Sequence, residues 1–315
     1  MLTKLQQALL GAEEIASFQE QGYAVLRGLL GRQELTTLQR AMQQALATFP
    51  QSPNSYDVTA AADMFWQTDA ANDNQGSQQH DLNALAAAVR DSPFPRLVDR
   101  ERTGQRGRFL LDTGVWRRVS LLGDFARNSV LPELASSLLH APRVRYYDDQ
   151  LFVKEPGAVD RAAFHQDLPY FHLDGTAGCV FWVPLGRVRE GGGRMGYIPG
   201  SHRWGMFKPN VFVSALPFPG SEGADMPAID EAPERFGVRY VDIEPGDVIV
   251  HHFLTVHGSE GNRTGHGRAA FSLRYCDAGM RYRYRPGAPQ QPLHRPNMDD
   301  GDELDAEIHP IVWPR

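Results

Sequence analysis

Residues 144–185 read VRYYDDQLFVKEPGAVDRAAFHQDLPYFHLDGTAGCVFWVPL, and the texture of this stretch decides the fold. Runs rich in β-branched and aromatic residues at Val144–Lys154, 164–167 and 178–185 are separated by Pro156-Gly157 and Gly175. Runs of that length between turn residues read as strands. Downstream the same texture continues at 195–198, 238–243, 247–253 and 268–276. Many short, evenly spaced strands predict an antiparallel sandwich or barrel, here a jelly roll.

Upstream the pattern is helical. Residues 12–21 place Ile15 and Phe18 on one face and stop at Gly22, and Tyr23–Leu26 follows as a strand. Over 33–49, Leu35, Leu38, Met42, Ala45, Leu46 and Phe49 share one face, with Pro50 just beyond. A further helix is expected near 131–139. Residues 51–107 are rich in Ser, Asn, Asp, Gln and Pro, with one helical pattern at 82–89. A segment this long inside a compact chain is expected to be a lid insertion. In the tail, 278–315, Val312 and Trp313 call for burial, so an ordered wrap is expected.

Bulk properties exclude more than they assign. The 315 residues carry a net charge of -6, without a basic stripe for nucleic acid or an anionic membrane. No apolar run approaches the ~20 residues of a membrane span. Residues 1–14 do not resemble a signal peptide, so a cytoplasmic location is expected. The two cysteines, Cys179 and Cys276, stand far apart in apolar strands and read as buried thiols. Gly191–Gly193 lies between short strands and reads as a tight turn, because a phosphate loop needs a strand-to-helix setting.

The chemistry concentrates at Phe164-His165-Gln166-Asp167. On a strand, His165 and Asp167 would point the same way. An imidazole and a carboxylate on one face supply two-thirds of a 2-His-1-carboxylate site for Fe(II). The segment 245–258, PGDVIVHHFLTVHG, offers His251, His252 and His257 for the third place. Strand parity leaves His251 and His257 equivalent.

These motifs are similar, in order, to those of the phytanoyl-CoA dioxygenase-like family of 2-oxoglutarate oxygenases, which includes ectoine hydroxylases. The matching pieces are 154–157 KEPG, 165–167 HQD, 191–202 GGGRMGYIPGSH, 245–247 PGD, 257–262 HGSEGN, and Arg268 with Ser272. The resemblance covers most of 12–277, apart from 51–107. It implies a double-stranded β-helix (jelly roll, cupin-like) core, mainly β with flanking helices, in a single catalytic domain. Helices and lid would occupy 1–140, the core about 141–277, and the tail 278–315. It also chooses the third ligand. The family's distal histidine precedes its co-substrate arginine by eleven positions, as His257 precedes Arg268. His251 and His252 then become barrel residues.

On this resemblance, His165, Asp167 and His257 hold Fe(II). Arg268 and Ser272 receive the far carboxylate of 2-oxoglutarate, with Gln150 and Lys154 as flanking contacts. O2 and 2-oxoglutarate are consumed, giving succinate and CO2, as a small-molecule substrate is oxidised. The carboxylate of Asp167 favours hydroxylation over halogenation. Phe171, His172, Trp182 and Arg274 are the candidate substrate contacts, with Met195 near them. The competing readings are a jelly-roll sensor that binds metal without turnover and a metal-dependent hydrolase or isomerase. In the latter, Arg268 and Ser272 have no evident use.

Overall fold

The computed structural model describes residues 10–52, 54–60, 107–212, 214–289 and 294–314. The expected lid helix at 82–89 therefore lies outside the described residues.

Helix α1 (Ala12–Gln21) buries Phe18 and ends at Gly22, whose positive φ of 82° lets its N–H donate to the Phe18 carbonyl. Strand β1 (Tyr23–Leu26) follows, then α2 (Arg32–Ala47), which buries Leu38, Ala41 and Ala45. After β2 (Ser55–Asp57) and β3 (Phe109–Thr113) come α3 (Ser120–Asn128) and α4 (Leu131–Leu139). The remaining strands are β4 (Val144–Lys154), β5 (Ala162–His165), β6 (Gly178–Pro184), β7 (Met195–Tyr197) and β8 (Arg239–Val241). They are completed by β9 (Val248–His252), β10 (His257–Ser259), β11 (Arg268–Asp277) and β12 (Ile311–Trp313).

These strands form two antiparallel sheets beside four helices, a mixed architecture that is not a closed barrel among the described residues. The larger sheet has eight strands in the order β1-β9-β6-β11-β4-β3-β2, with β12 also on β4. The smaller has four, β5-β10-β7-β8. The larger sheet draws β1, β2, β3 and β12 from outside 141–277. β3 pairs with residues 150–154 of β4, and β12 with its opposite end at Val144 and Arg145. The tail thus closes the edge that β3 leaves open.

Alternation along β11 separates two environments. Phe271, Leu273 and Tyr275 pack with the helices in the main core, together with Phe181, Val183, Val248 and Val250. Ala270 turns the other way and joins Trp182 and Ile249 against Met195, Tyr197 and Val241 of the smaller sheet. The inner faces of the sheets therefore meet, and the even-numbered residues 268–274 line that interior. The register skips Tyr147 between the Arg274–Asp148 and Tyr275–Tyr146 pairs. Both cysteines are buried and unpaired. The Gly191–Gly193 segment is a tight turn, with positive φ at Gly191 and Gly193.

Candidate metal centre

His165 ends β5 and His257 opens β10, and the two are direct partners in the strand register. Their ring centroids lie 4.3 Å apart. Asp167 arrives by a route that strand periodicity does not describe. The strand stops at His165, and Asp167 is helical (φ -77°, ψ -42°) at the head of a short turn containing Pro169. Proline fits such a first turn because its fixed φ suits helical backbone. The N–H groups of Asp167 and Leu168 both donate to the Phe253 carbonyl, at 2.9 and 3.0 Å. It is this bend, not a shared strand face, that returns the carboxylate to His165.

The donor atoms converge. His165 Nε2 is 3.9 Å from Asp167 Oδ1, and His257 Nε2 is 4.0 Å from Asp167 Oδ2. Among the described residues this is the one cluster of three or more such side chains whose ligand atoms lie within 4.8 Å of each other. Each Nδ1 meets a backbone carbonyl, Ala163 O at 2.8 Å for His165 and Thr255 O at 2.9 Å for His257. A carbonyl only accepts, so Nδ1 carries the proton and the Nε2 lone pair is turned to the centre.

Electrostatics prepare the same donors. Burial, and then the neighbouring His257, push His165 down to about 3, so it is neutral at neutral pH. Burial alone would raise Asp167. The hydrogen bond from His251, with the neighbouring His257 ring and the Arg274 charge, holds it below the usual carboxylate range. A neutral imidazole and an ionised carboxylate are the forms a metal takes up without displacing a proton. Two imidazoles and one carboxylate on one side, leaving neighbouring positions open, suit Fe(II).

His251 is more than a barrel residue. It lies on the inner face of β9, where its Nε2 is 3.2 Å from Asp167 Oδ2 and its Nδ1 is 3.3 Å from the Tyr197 hydroxyl. His252 points away from it, towards His202 and Phe18. Spacing alone treats His251 and His257 as alternatives, whereas they hold adjacent, different places.

Arg268 lies buried on the same inner surface. Its Nε and Nη2 donate to the Gly193 carbonyl at 3.1 and 2.8 Å, and its guanidinium stands 5.0 Å over the Trp182 ring. Burial lowers it to about 10. Lys154, its register partner on β4, is not the solvent-facing charge that a strand end suggests. It is fully buried, with Nζ donating to Ser259 Oγ (2.9 Å) and the Glu260 carbonyl (2.6 Å). Burial, and then the Arg268 charge, hold it well below the usual lysine value. Ser272 sits between Gln150 and Trp182 in the register.

The other candidates separate by position. Gln150 accepts from Arg274 Nη2 at 2.8 Å, so it is engaged away from Lys154. Arg274 forms an internal ion pair, with Nη1 3.2 Å from Asp148 Oδ2, and stands 5.2 Å over Phe171. Trp182 is the floor beneath Arg268. His172 lies between Tyr282 and Tyr284, accepting from the Arg285 N–H at 3.1 Å, and so serves the tail. Phe212 and Tyr170, which sequence reasoning missed, wall His165 at ring distances of 4.5 and 5.7 Å. No periodic signal marks either one, since both lie in irregular segments.

Comparison with known proteins agrees with this arrangement. The family model described as phytanoyl-CoA dioxygenase (PhyH) matches residues 18–270. The peroxisomal phytanoyl-CoA dioxygenase of Homo sapiens is 25% identical over 175 residues, 54% of this chain and 51% of that protein. Phytanoyl-CoA dioxygenase domain-containing protein 1 of Bos taurus is 24% identical over 285 residues, 86% and 91% of the two chains. The chain spans about half the length of the first curated relatives it matches. In fold it is similar to the non-heme alpha-ketoglutarate-dependent carbocyclase SnoK from nogalamycin biosynthesis. That likeness has a TM-score of 0.64 at 21% identity and covers 99% of both chains. EctD from S. alaskensis with 2-oxoglutarate and 5-hydroxyectoine gives 0.60 at 19% identity, covering 94% of this chain and 87% of that one. No helix among the described residues is long and apolar enough to cross a membrane.

Proposed function

Since the chain belongs to the phytanoyl-CoA dioxygenase family, we propose that it is an Fe(II)- and 2-oxoglutarate-dependent dioxygenase that hydroxylates a small organic molecule. The two sheets are then the halves of a double-stranded β-helix around the reaction site. His165 Nε2, the Asp167 carboxylate and His257 Nε2 would hold the iron. Bound there, iron supplies the redox chemistry that couples O2 and 2-oxoglutarate to substrate oxidation. The balance is one substrate C–H, one O2 and one 2-oxoglutarate giving an alcohol, succinate and CO2.

One observation carries this reading. Two buried cations, Arg268 and Lys154, stand beside the donor cluster, and among the described residues neither has a carboxylate within ion-pair distance. Burying charge without a counter-ion is costly, and a ligand anion removes that cost. Lys154 is tied to Ser259, two residues along β10 from His257. At ~3.3 Å per residue the gap along the strand is about 7 Å. A dicarboxylate gripped at the metal by one end suits a gap of that size with its other end at the cations. The Arg268 fork binds such a carboxylate, Ser272 offers a hydroxyl, and Trp182 fixes the plane of the guanidinium.

The substrate would approach from the side of Phe171 and Arg274, with Tyr170 and Phe212 against His165. Those aromatic groups exclude water from the reacting carbon. The test is substrate-free turnover. Purified protein with Fe(II), 2-oxoglutarate and O2 should slowly release succinate, and the Asp167→Ala protein should release none. Equal succinate from both proteins would contradict the assignment.

A further inference from the structure

The three ligand side chains are oriented by unlike means. Each histidine has its Nδ1 tied to a carbonyl of its own segment, two residues earlier. Asp167 has no such tie. It stands in a turn outside any strand, and its backbone hydrogen bond fixes the main chain but not the carboxylate. What meets the carboxylate is His251 Nε2, 3.2 Å from Oδ2, from the facing sheet.

Within the above reading of the site, we propose that His251 is a positioning residue that keeps Asp167 bound to metal through a single oxygen. A carboxylate accepts, so His251 must donate from Nε2, and its Nδ1 then accepts from the Tyr197 hydroxyl at 3.3 Å. Tyr197 is held in turn by stacking on Tyr23, with centroids 4.7 Å apart and planes 13° from parallel. The chain Tyr197–His251–Asp167 thus links the two sheets through the metal centre. Both carboxylate oxygens border the donor set, Oδ1 at 3.9 Å from His165 Nε2 and Oδ2 at 4.0 Å from His257 Nε2, and the bond from His251 is what sets Oδ2 apart as the one already engaged.

The consequence concerns open positions. A carboxylate free to rotate can chelate the metal through both oxygens, using a place that a bidentate co-substrate needs. Removing His251 should therefore weaken 2-oxoglutarate binding as well as metal binding. It should not abolish metal binding, since His251 lies outside the converging donor set.

The experiment uses Co(II) as an anaerobic, redox-stable probe of the full-length protein. Visible absorption follows Co(II) titration and then 2-oxoglutarate titration of wild type, His251→Ala, His251→Gln and Tyr197→Phe. Circular dichroism verifies that each is folded. The alanine protein should bind Co(II) about 10–100-fold more weakly, in keeping with loss of a partner behind a ligand. Its Co(II) spectrum should change in shape, and its 2-oxoglutarate dissociation constant should rise. Glutamine, whose amide N–H can replace the imidazole donor, should restore the spectrum, and Tyr197→Phe should fall between. An alanine protein with unchanged spectrum and affinities overturns the proposal. So does one that loses all Co(II) while His257→Ala keeps it, because His251 would then be a ligand. Failure of wild type to bind 2-oxoglutarate would count against the dioxygenase reading. The Co(II) affinities and spectra would still decide the role of His251.

Discussion

Arg268 and Lys154 face one another across the register of β11 and β4, two buried cations on neighbouring strands of the larger sheet. Their polar hydrogens are only partly used, on the Gly193 and Glu260 carbonyls and the Ser259 hydroxyl. Such a pair is poorly stable by itself and well suited to an incoming carboxylate.

Truncating Arg268 should therefore weaken 2-oxoglutarate far more than metal. Loss of one partner of a buried, hydrogen-bonded charge pair costs about 2–5 kcal/mol of binding. Isothermal titration of Arg268→Ala with 2-oxoglutarate should show that loss, with metal affinity close to wild type. Arg268→Lys should rescue little, because an ammonium lacks the planar fork.

Lys154→Met should have opposite effects on stability and binding. Without ligand it removes a buried charge that, among the described residues, has no carboxylate within ion-pair distance, so the urea midpoint of the apoprotein should rise or stay level. The dissociation constant for 2-oxoglutarate should increase. A large loss of apoprotein stability would mean that the bonds to Ser259 and Glu260 outweigh the charge.

Gly193 links turn geometry to the same pocket. Its φ is +81°, and an added Cβ would lie 3.5 Å from both Arg268 Nε and Lys154 Cδ and 3.3 Å from the Glu260 carbonyl. Left-handed backbone costs an L-residue roughly 1–2 kcal/mol. Gly193→Ala should lose about that much stability in urea, together with 2-oxoglutarate affinity, since its carbonyl orients Arg268.

Acid should destabilise the protein before its carboxylates titrate. His252, His294 and His309 lie outside the His165–Asp167–His257 cluster, and their pKa values are pushed down to about 4, 3 and 4. Burial is the main cause in all three, with His202 beside His252 and His309 beside His294. Below about 6.5 the unfolded chain binds protons that the folded chain does not, so stability falls as pH falls. From pH 6.5 to 5 each can remove up to about 2 kcal/mol. Urea unfolding at pH 7 and pH 5 should show a clear drop in midpoint, and a level profile would contradict this burial.

The sequence made much of this legible, for definable reasons. β4, β6, β9 and β11 are long or strongly β-branched, and the structure places all four in one unbroken run, β9-β6-β11-β4. β10, with the sequence His-Gly-Ser, has no intrinsic strand preference and exists because β5 and β7 pair with it. α3 is not legible in the sequence, because Gly123 interrupts its pattern. There a Cβ would come within 3.1 Å of the Trp116 carbonyl. The two sheets are another matter, since their meeting depends on contacts between distant segments.

At the site, residue types were readable but their geometry was not. His165 and Asp167 do converge, yet through a bend stabilised by Phe253, 86 positions beyond Asp167. Sequence position alone does not separate a flanking contact at Lys154 from a solvent-facing charge, since a lysine at a strand end is usually exposed. It is covered by the 259–262 loop, where Asn262 Nδ2 donates to the Lys154, Glu155 and His266 carbonyls. That contact accounts structurally for the asparagine of the HGSEGN motif. His251 shares strand parity with His257, so only three-dimensional packing separates the residue in the converging donor set from the one that meets Asp167 from outside it.

The most direct test of the central claim needs no substrate. Apoprotein is loaded anaerobically with Fe(II), 2-oxoglutarate is added, and the weak visible charge-transfer band of the chelate is recorded. His165→Ala and Arg268→Ala are measured alongside. The expected result is a band in wild type, no band without His165, and a band that needs more 2-oxoglutarate without Arg268. Tight iron binding with no band in wild type would contradict it, and the metal site would then serve another chemistry.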